Sequence, residues 1–208
     1  MPASTQSPQL RLARRFYRRD PVTLARALLG QLLVRVISGQ RQSGVIVETE
    51  AYLGIADKAA HTYNRRRTAR NESMWKDGGH CYVYFTYGMH HCLNVVAGRR
   101  EEPVAILIRA IEPAEGIHVM YTRRDRVKRA TDLCSGPAKL TKALSVDRNL
   151  DGIDLTSNNV LFIERRRKRC LPQNRIVVSS RIGVGYAEEW AVKPLRFYTR
   201  DSRFVSRL

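Results

Sequence analysis

The stretch Val45-Ile46-Val47-Glu48-Thr49-Glu50-Ala51-Tyr52 decides how the chain is read. β-Branched and aromatic residues dominate it, which predicts a strand over residues 45–52. Period-two alternation puts Val45, Val47, Thr49 and Ala51 on one face, and Ile46, Glu48, Glu50 and Tyr52 on the other. Two carboxylates on alternate positions of an apolar strand break the simple pattern. Such breaks are expected at functional sites.

Upstream, Asp20-Pro21 reads as the N-cap and first residue of a short helix over residues 22–29, stopped at Gly30. Residues 32–37 read as a strand, and Ser38-Gly39-Gln40 as a turn. Downstream, residues 54–79 read as a loop rich in Arg, Asn and Gly. A strand over 81–86, a hairpin tip at Tyr87-Gly88-Met89 and a return strand over 92–96 follow. Residues 104–111 form an apolar strand interrupted by Arg109, and Ser135-Gly136-Pro137 opens a helix to about Leu144. Short strands are expected at 160–163, 175–179 and 195–199. With no repeat or linker, the chain reads as one mixed α/β domain over residues 11–208 behind a flexible N-terminus, residues 1–10. That terminus lacks a secretory apolar stretch; being Arg-containing and acid-free up to Asp20, it weakly resembles an organelle transit peptide.

The 208 residues carry 37 Lys and Arg against 19 Asp and Glu, a formal net charge of +18. The excess is spread over clusters at 11–20, 65–76, 123–129, 164–169 and 193–207, so it is not a basic tail. Thirty of the 37 basic residues are Arg, whose planar fork matches phosphate. The charge points to a polyanionic partner, nucleic acid first. No apolar run approaches the roughly 20 residues needed to span a bilayer. Four cysteines, Cys81, Cys92, Cys134 and Cys170, form no disulfide framework, which predicts a reducing compartment.

Several chemistries fit the residues alone. Glu48 or Glu50, beside Tyr52 and with His61 nearby, could act as a general base or form a salt bridge to arginine. Glu48, Glu50, Asp57 and His61 could together hold a nuclease metal, and Cys81, His90, His91 and Cys92 a zinc ion; neither spacing is diagnostic. No phosphate-binding glycine loop and no Gly-x-Ser-x-Gly elbow is present. Tyr84, Tyr87 and Met89 read either as core or as an exposed wedge between bases, and a tyrosine at a hairpin tip is hard to bury. Arg109, inside an apolar strand, must pair with a carboxylate or face a site; near Glu50, the two could hold a water molecule.

The run 47–54 (Val-Glu-Thr-Glu-Ala-Tyr-Leu-Gly), followed by Asp57 and Ala59-Ala60-His61, resembles the alkyladenine (3-methyladenine) DNA glycosylases. So do Thr68-Ala69-Arg70-Asn71 with Met74, the tyrosine-rich 82–89, and Cys92-Leu93-Asn94. Residues 107–113, 133–137, 181–185 and 190–197 complete the series, covering roughly residues 15–205 in family order. The resemblance implies an α+β fold, a single mixed α/β domain around a curved, largely antiparallel sheet with a protruding hairpin that inserts into DNA. It makes Glu50 the general base and Arg109 the residue positioning the attacking water. Tyr52, Ala59, His61, Tyr84 and Asn94 become the base pocket, Tyr87 and Met89 the intercalating tip, and Arg70 and Asn71 DNA contacts. It implies damaged purines in double-stranded DNA as substrate, no metal or organic cofactor, a monomer, and a cytoplasmic, nucleoid-associated setting if bacterial. Glu48 reads as structural, and His90-His91 departs from the aromatic or apolar residues expected after the tip. A non-catalytic nucleic-acid-binding module and a metal-dependent nuclease are the competing readings.

Overall fold

The computed structural model describes residues 10–166 and 171–207. Most of the expected flexible N-terminus, together with Arg167, Lys168, Arg169 and Cys170, lies outside the described residues.

Chain order runs α1 (Arg14–Tyr17), α2 (Pro21–Leu28), β1 (Leu32–Ile37), β2 (Gln40–Tyr52), β3 (Cys81–Thr86), β4 (His90–Val96) and β5 (Ala105–Glu115). Then come α3 (Ile117–Arg123), α4 (Ala130–Leu133), α5 (Pro137–Ala143), β6 (Leu161–Glu164), β7 (Ile176–Ser179) and β8 (Arg196–Thr199). All eight strands join one sheet, β3-β4-β5-β2-β1-β6, with β8 bridging β2 and β7. Every pairing is antiparallel.

The helix after Asp20 forms for the expected reasons. Asp20 accepts from the Thr23 N–H at 3.0 Å, Pro21 needs no donor partner, and Gly30, at φ 81°, takes the chain out. Its buried face, Leu24, Ala25, Ala27 and Leu28, packs into the main core. The 54–79 loop has no strand and only short 3-10 turns.

β2 begins five residues earlier than the sequence reading placed it, and its 13 residues organise the sheet. One edge follows β5; the other pairs with β1 over residues 40–45 and with β8 over 48–50. The expected alternation along 45–52 fails at the changeover. Ile46 pairs with Ile111 and Glu48 with Ala110, leaving Val47 as an extra residue on β2. Thr49 then pairs with Ile108, leaving Arg109 as an extra residue on β5. Two neighbouring bulges therefore shift parity by one on both strands. Ile46 and Ala51 both join the core, and the Thr49 hydroxyl donates to the Ala25 carbonyl of α2 at 3.0 Å. Val45 and Val47 instead border a separate cavity with Glu112 and Thr199. The bulges also bring Glu48, Glu50 and Arg109 to the side away from α2. No helix among the described residues is long and apolar enough to cross a membrane.

Leu24 anchors α2 on the sheet and is fully buried. Leu24→Ala is expected to cost about 2–5 kcal/mol, read from the urea unfolding midpoint. A loss below about 1 kcal/mol would mean that α2 does not hold the sheet.

Candidate active site

Glu50 is fully buried, yet both of its oxygens are occupied. Oε1 accepts from the Ile182 N–H at 2.8 Å and is 3.3 Å from Arg109 Nη1; Oε2 accepts from the Tyr52 hydroxyl at 3.0 Å. Burial raises the Glu50 pKa, and Glu48 adds to the rise. Arg109, the Ile182 N–H and the Tyr52 hydroxyl oppose it. Tyr52 is itself held well above the ordinary phenol value, by burial first and then by Glu50.

Glu48, also fully buried, is the structural carboxylate. Its Oε1 accepts from Arg109 Nε at 3.1 Å, Arg196 Nε at 2.7 Å and the Ser206 hydroxyl at 2.9 Å; its Oε2 accepts from the Ser206 N–H at 2.6 Å. Two carboxylates and two guanidiniums thus fill a buried patch on β2, β5 and β8. Arg196, which the sequence grouped with phosphate-contacting arginines, is part of this patch and is buried.

Above the patch opens a cavity of about 330 Å³, lined by Tyr52, Ala59, His61, Tyr84, Asn94, Arg109 and Ile182 among others. All five residues expected in a base pocket line it. Glu50 sits just behind Tyr52, Arg109 and Ile182. His61 stands edge-to-face on Tyr84, with ring centroids 4.6 Å apart, and its Nδ1 lies 2.8 Å from the Tyr82 hydroxyl. Burial, with the nearby Arg70 and Arg66 charges, lowers its pKa to about 4, so the ring is neutral at pH 7. Asn94 donates from Nδ2 to the Tyr82 carbonyl at 3.1 Å, which orients its amide. The Ala59 N–H is held by Asp57 Oδ1, and the His61 carbonyl accepts from Asn71. That leaves the Ala59 carbonyl and the His61 N–H without partners among the described residues.

The hairpin tip stands at the cavity mouth. Tyr87 and Gly88 both have positive φ, 51° and 66°, as a tight two-residue turn requires. Tyr87 is 85% exposed and Met89 71%, so the core reading of these two is wrong. His90 is exposed as well, and His91 half-buried against Phe85. Arg70 donates to the Phe85 carbonyl at 3.0 Å beside this hairpin.

Asn71 is a correction. Expected to contact DNA, it is 2% exposed and pins the 54–79 loop internally. Its amide donates to the His61 and Arg66 carbonyls, both at 2.9 Å, and accepts from the Thr68 N–H at 2.8 Å. The proposed metal sets do not assemble either: no three His, Cys, Asp or Glu side chains converge among the described residues. Asp57 is committed to Arg181 and His61 to Tyr82, while Cys81 is buried in the core, away from Cys92 at the cavity.

Sequence reasoning also passed over a pair that builds the pocket. Asp57 and Arg181 form a fully buried, two-pronged ion pair at 2.6 and 2.9 Å. Asp57 fixes the Leu53 and Ala59 N–H groups, and Arg181 lies 4.7 Å behind the Tyr52 ring. One pair thereby sets two walls and leads directly into the Ile182 N–H that holds Glu50. Gly183 follows at φ 78°, a backbone state that an L side chain adopts only under strain. The only sequence signal was the isolated acid after Gly54; its partner is 124 residues away. Asp57→Asn leaves Arg181 buried without a counter-charge and is expected to cost about 3–5 kcal/mol in urea unfolding. A loss under 1 kcal/mol would show that the pair is dispensable.

Residues 15–203 match the Methylpurine-DNA glycosylase (MPG) family. Over 205 residues, 94% of this chain, it is 42% identical both to the DNA-3-methyladenine glycosylase of Mus musculus and to that of Homo sapiens. Those alignments cover 61% and 68% of the mouse and human proteins. A Desulfitobacterium hafniense relative, also bearing a 3-methyladenine DNA glycosylase name, is 45% identical over 94% of this chain and 98% of its own length. On the extent of these matches, the chain belongs to the methylpurine-DNA glycosylase family.

Proposed function

We propose that the protein is a DNA-repair N-glycosylase that flips an alkylated or deaminated purine out of duplex DNA and hydrolyses its bond to the sugar. The observation that carries this reading is a buried, hydrogen-bonded carboxylate, Glu50, behind an aromatic cavity with an exposed tyrosine at its mouth.

Glu50 takes a proton from a water molecule as that water attacks C1′ and the glycosidic bond loosens. Oε2 accepts from a single protein donor, so it keeps a lone pair for water. The sugar approaches an oxocarbenium ion, and the carboxylate stabilises that charge as it develops. Arg109 orients the water and keeps the proton-accepting carboxylate ionised. The base departs, and the product is an abasic site. Among the described residues no lysine lines the cavity to serve as an imine-forming nucleophile, which supports a product strand left uncut.

Tyr52, His61 and Tyr84 form aromatic walls suited to an electron-poor or cationic purine. A neutral His61 adds no repulsion toward a cationic lesion. The free Ala59 carbonyl and His61 N–H can read a purine edge. Asn94 obstructs the 2-amino group of normal guanine. 3-Methyladenine, hypoxanthine and ethenoadenine lack that 2-amino group and satisfy these constraints; 7-methylguanine keeps it, and only its cationic ring favours it over guanine against the aromatic walls. Tyr87 fills the gap left by the extruded nucleotide: flipping costs a few kcal/mol, and a stacked aromatic returns about 1–3 kcal/mol.

Glu50→Gln is expected to reduce alkali-revealed strand breaks at hypoxanthine or an alkylated purine by roughly 10²–10⁴-fold, with duplex binding retained. Because the base must be ionised and its pKa is raised, wild-type kcat/KM falls with decreasing pH above the ordinary carboxylate range. No release from any of several lesions would sink the reading, and undiminished release by Glu50→Gln would remove Glu50 from the base role.

Tyr87 gives an independent check. Asn tolerates positive φ, so Tyr87→Asn is expected to keep or raise Tm. Affinity for a hypoxanthine duplex should fall by about 5- to 100-fold, and far less for undamaged duplex. Equal losses on both would contradict insertion.

A further inference from the structure

The segment that follows β8, residues 202–207, carries three basic or aromatic side chains and two serines with no evident task in the sequence. In the fold it turns back under the cavity. Ser206 meets the buried charge patch with both its backbone and its side chain. Its N–H is the one donor that Glu48 Oε2 has among the described residues, and its hydroxyl donates to Glu48 Oε1. The same hydroxyl accepts from Arg109 Nη2 at 3.3 Å. The next residue ties the segment down, because the Arg207 carbonyl accepts from Arg196 Nη2.

All three nitrogens of the Arg109 guanidinium are thereby assigned. Nε donates to Glu48, Nη2 to Ser206, and Nη1 faces Glu50 at 3.3 Å. A planar group held at Nε and Nη2 cannot rotate about its stem. It therefore presents one edge nitrogen to Glu50 at a long distance instead of the close two-pronged contact that an unrestrained Arg–carboxylate pair adopts. A two-pronged pair would occupy the lone pairs that a water molecule needs.

We propose that Ser206 is a positioning residue for the reaction: bridging Glu48 and Arg109, it fixes the guanidinium plane and holds Arg109 back from Glu50, leaving the Glu50 carboxylate open to water. The inference rests on the reading of Glu50 as the general base. The charged and titratable groups around Glu50 are few and come from several elements. They are Glu48 and Tyr52 on β2, Arg109 on β5, Arg196 on β8, Tyr84 and Cys92 on the hairpin, and Arg181 behind Tyr52. Of these, Ser206 touches only Glu48 and Arg109, so its removal acts through them.

Ser206→Ala removes the bridging hydroxyl, and Ser206→Thr keeps it. Single-turnover release of hypoxanthine from a duplex, followed across pH with Glu50→Gln as the blank, separates the outcomes. Ser206→Ala is expected to lower the plateau rate by about ten- to a hundredfold, and to move the acid limb to lower pH as Arg109 closes on Glu50. Affinity for the hypoxanthine duplex should stay within about twofold, and Ser206→Thr should restore both rate and limb. A wild-type rate and limb in Ser206→Ala, an upward shift of the limb, or equal impairment of the Ala and Thr variants would overturn the proposal. ¹⁵N spectra of the DNA-free protein give a readout without turnover: separate Arg109 Nη signals in wild type, and Nη signals moved from their wild-type positions in Ser206→Ala as the guanidinium changes partners. If the wild type releases no base, the glycosylase reading fails while those spectra still decide the clamp. Averaged signals already in wild type would overturn the clamp alone.

Discussion

The structure turns on the burial of two carboxylates, Glu48 and Glu50, on one strand beneath an otherwise apolar site. Removing an ion from water costs several kcal/mol even after relaxation, and only close, fully hydrogen-bonded partners offset it. Arg109 and Arg196 supply the compensating charge, and the Ile182 and Ser206 N–H groups with the Tyr52 and Ser206 hydroxyls supply the remaining donors. The two carboxylates are treated differently. Glu48 takes four donors among the described residues, two of them arginine; Glu50 takes fewer and keeps capacity for another partner. In the proposed mechanism, that difference divides one acidic pair into a structural member and a reactive one. The paired bulges at Val47 and Arg109 turn Glu48 and Glu50 to the face opposite Ile46, which regular alternation would have left on their side.

The same patch explains how so basic a chain can keep a cavity of neutral character. Of all the residues lining the cavity, Arg109 alone carries a full charge at neutral pH, and two carboxylates answer it. The excess positive charge lies elsewhere, and part of it is structural. Arg14 pairs with Asp154, Arg18 with Asp77 and Arg67 with Glu72 and Glu101, while Arg123 and Arg124 donate to backbone carbonyls. Those arginines are committed to internal partners, so fewer than the 37 basic side chains are free to contact phosphate, while the net +18 is unchanged. In the proposed reading, attraction to a phosphate backbone and discrimination among bases fall to different residues, so salt acts on the first and hardly on the second.

What could be read in the sequence, and what could not, follows from the range of the interactions. The Asp20 cap, the strands around residues 45–52 and 81–96, and the Tyr87-Gly88 turn rest on neighbours within a few positions, and local propensity finds them. A link between Glu50 and Arg109 was legible because a lone arginine in an apolar strand demands an acid. The bulges were not, since an inserted residue is visible only once the partner strand is known. Asn71 reads as a surface residue because its surroundings are rich in arginine; its actual partners are backbone groups, which no side-chain pattern reveals. Arg181, Arg196 and Ser206 act across 124 to 158 residues of sequence; the first two lay in segments quoted for family resemblance and Ser206 in a cluster read for its charge, and none of those readings gives a partner so far away.

Those long-range contacts also determine what kind of pocket this is. Two of its walls, around Ala59–His61 and Ile182–Val184, belong to loops, which ordinarily move more than strands. Here each loop is fixed by buried polar groups: Asn71 spans one, and the Asp57–Arg181 pair joins it to the other. Lys58, paired with Glu188 and Glu189, adds a surface tie between the same two segments. The walls are thus held before any ligand arrives, and a base entering the cavity meets a preset shape. A preset shape discriminates by misfit: a purine with one extra exocyclic group loses contacts that the walls cannot move to restore. In the proposed reading, the mobile part of recognition is left to the DNA, which must deliver the base, and to the tip at Tyr87, the more exposed of two largely exposed tyrosines, with Tyr186, among the described residues that line the cavity.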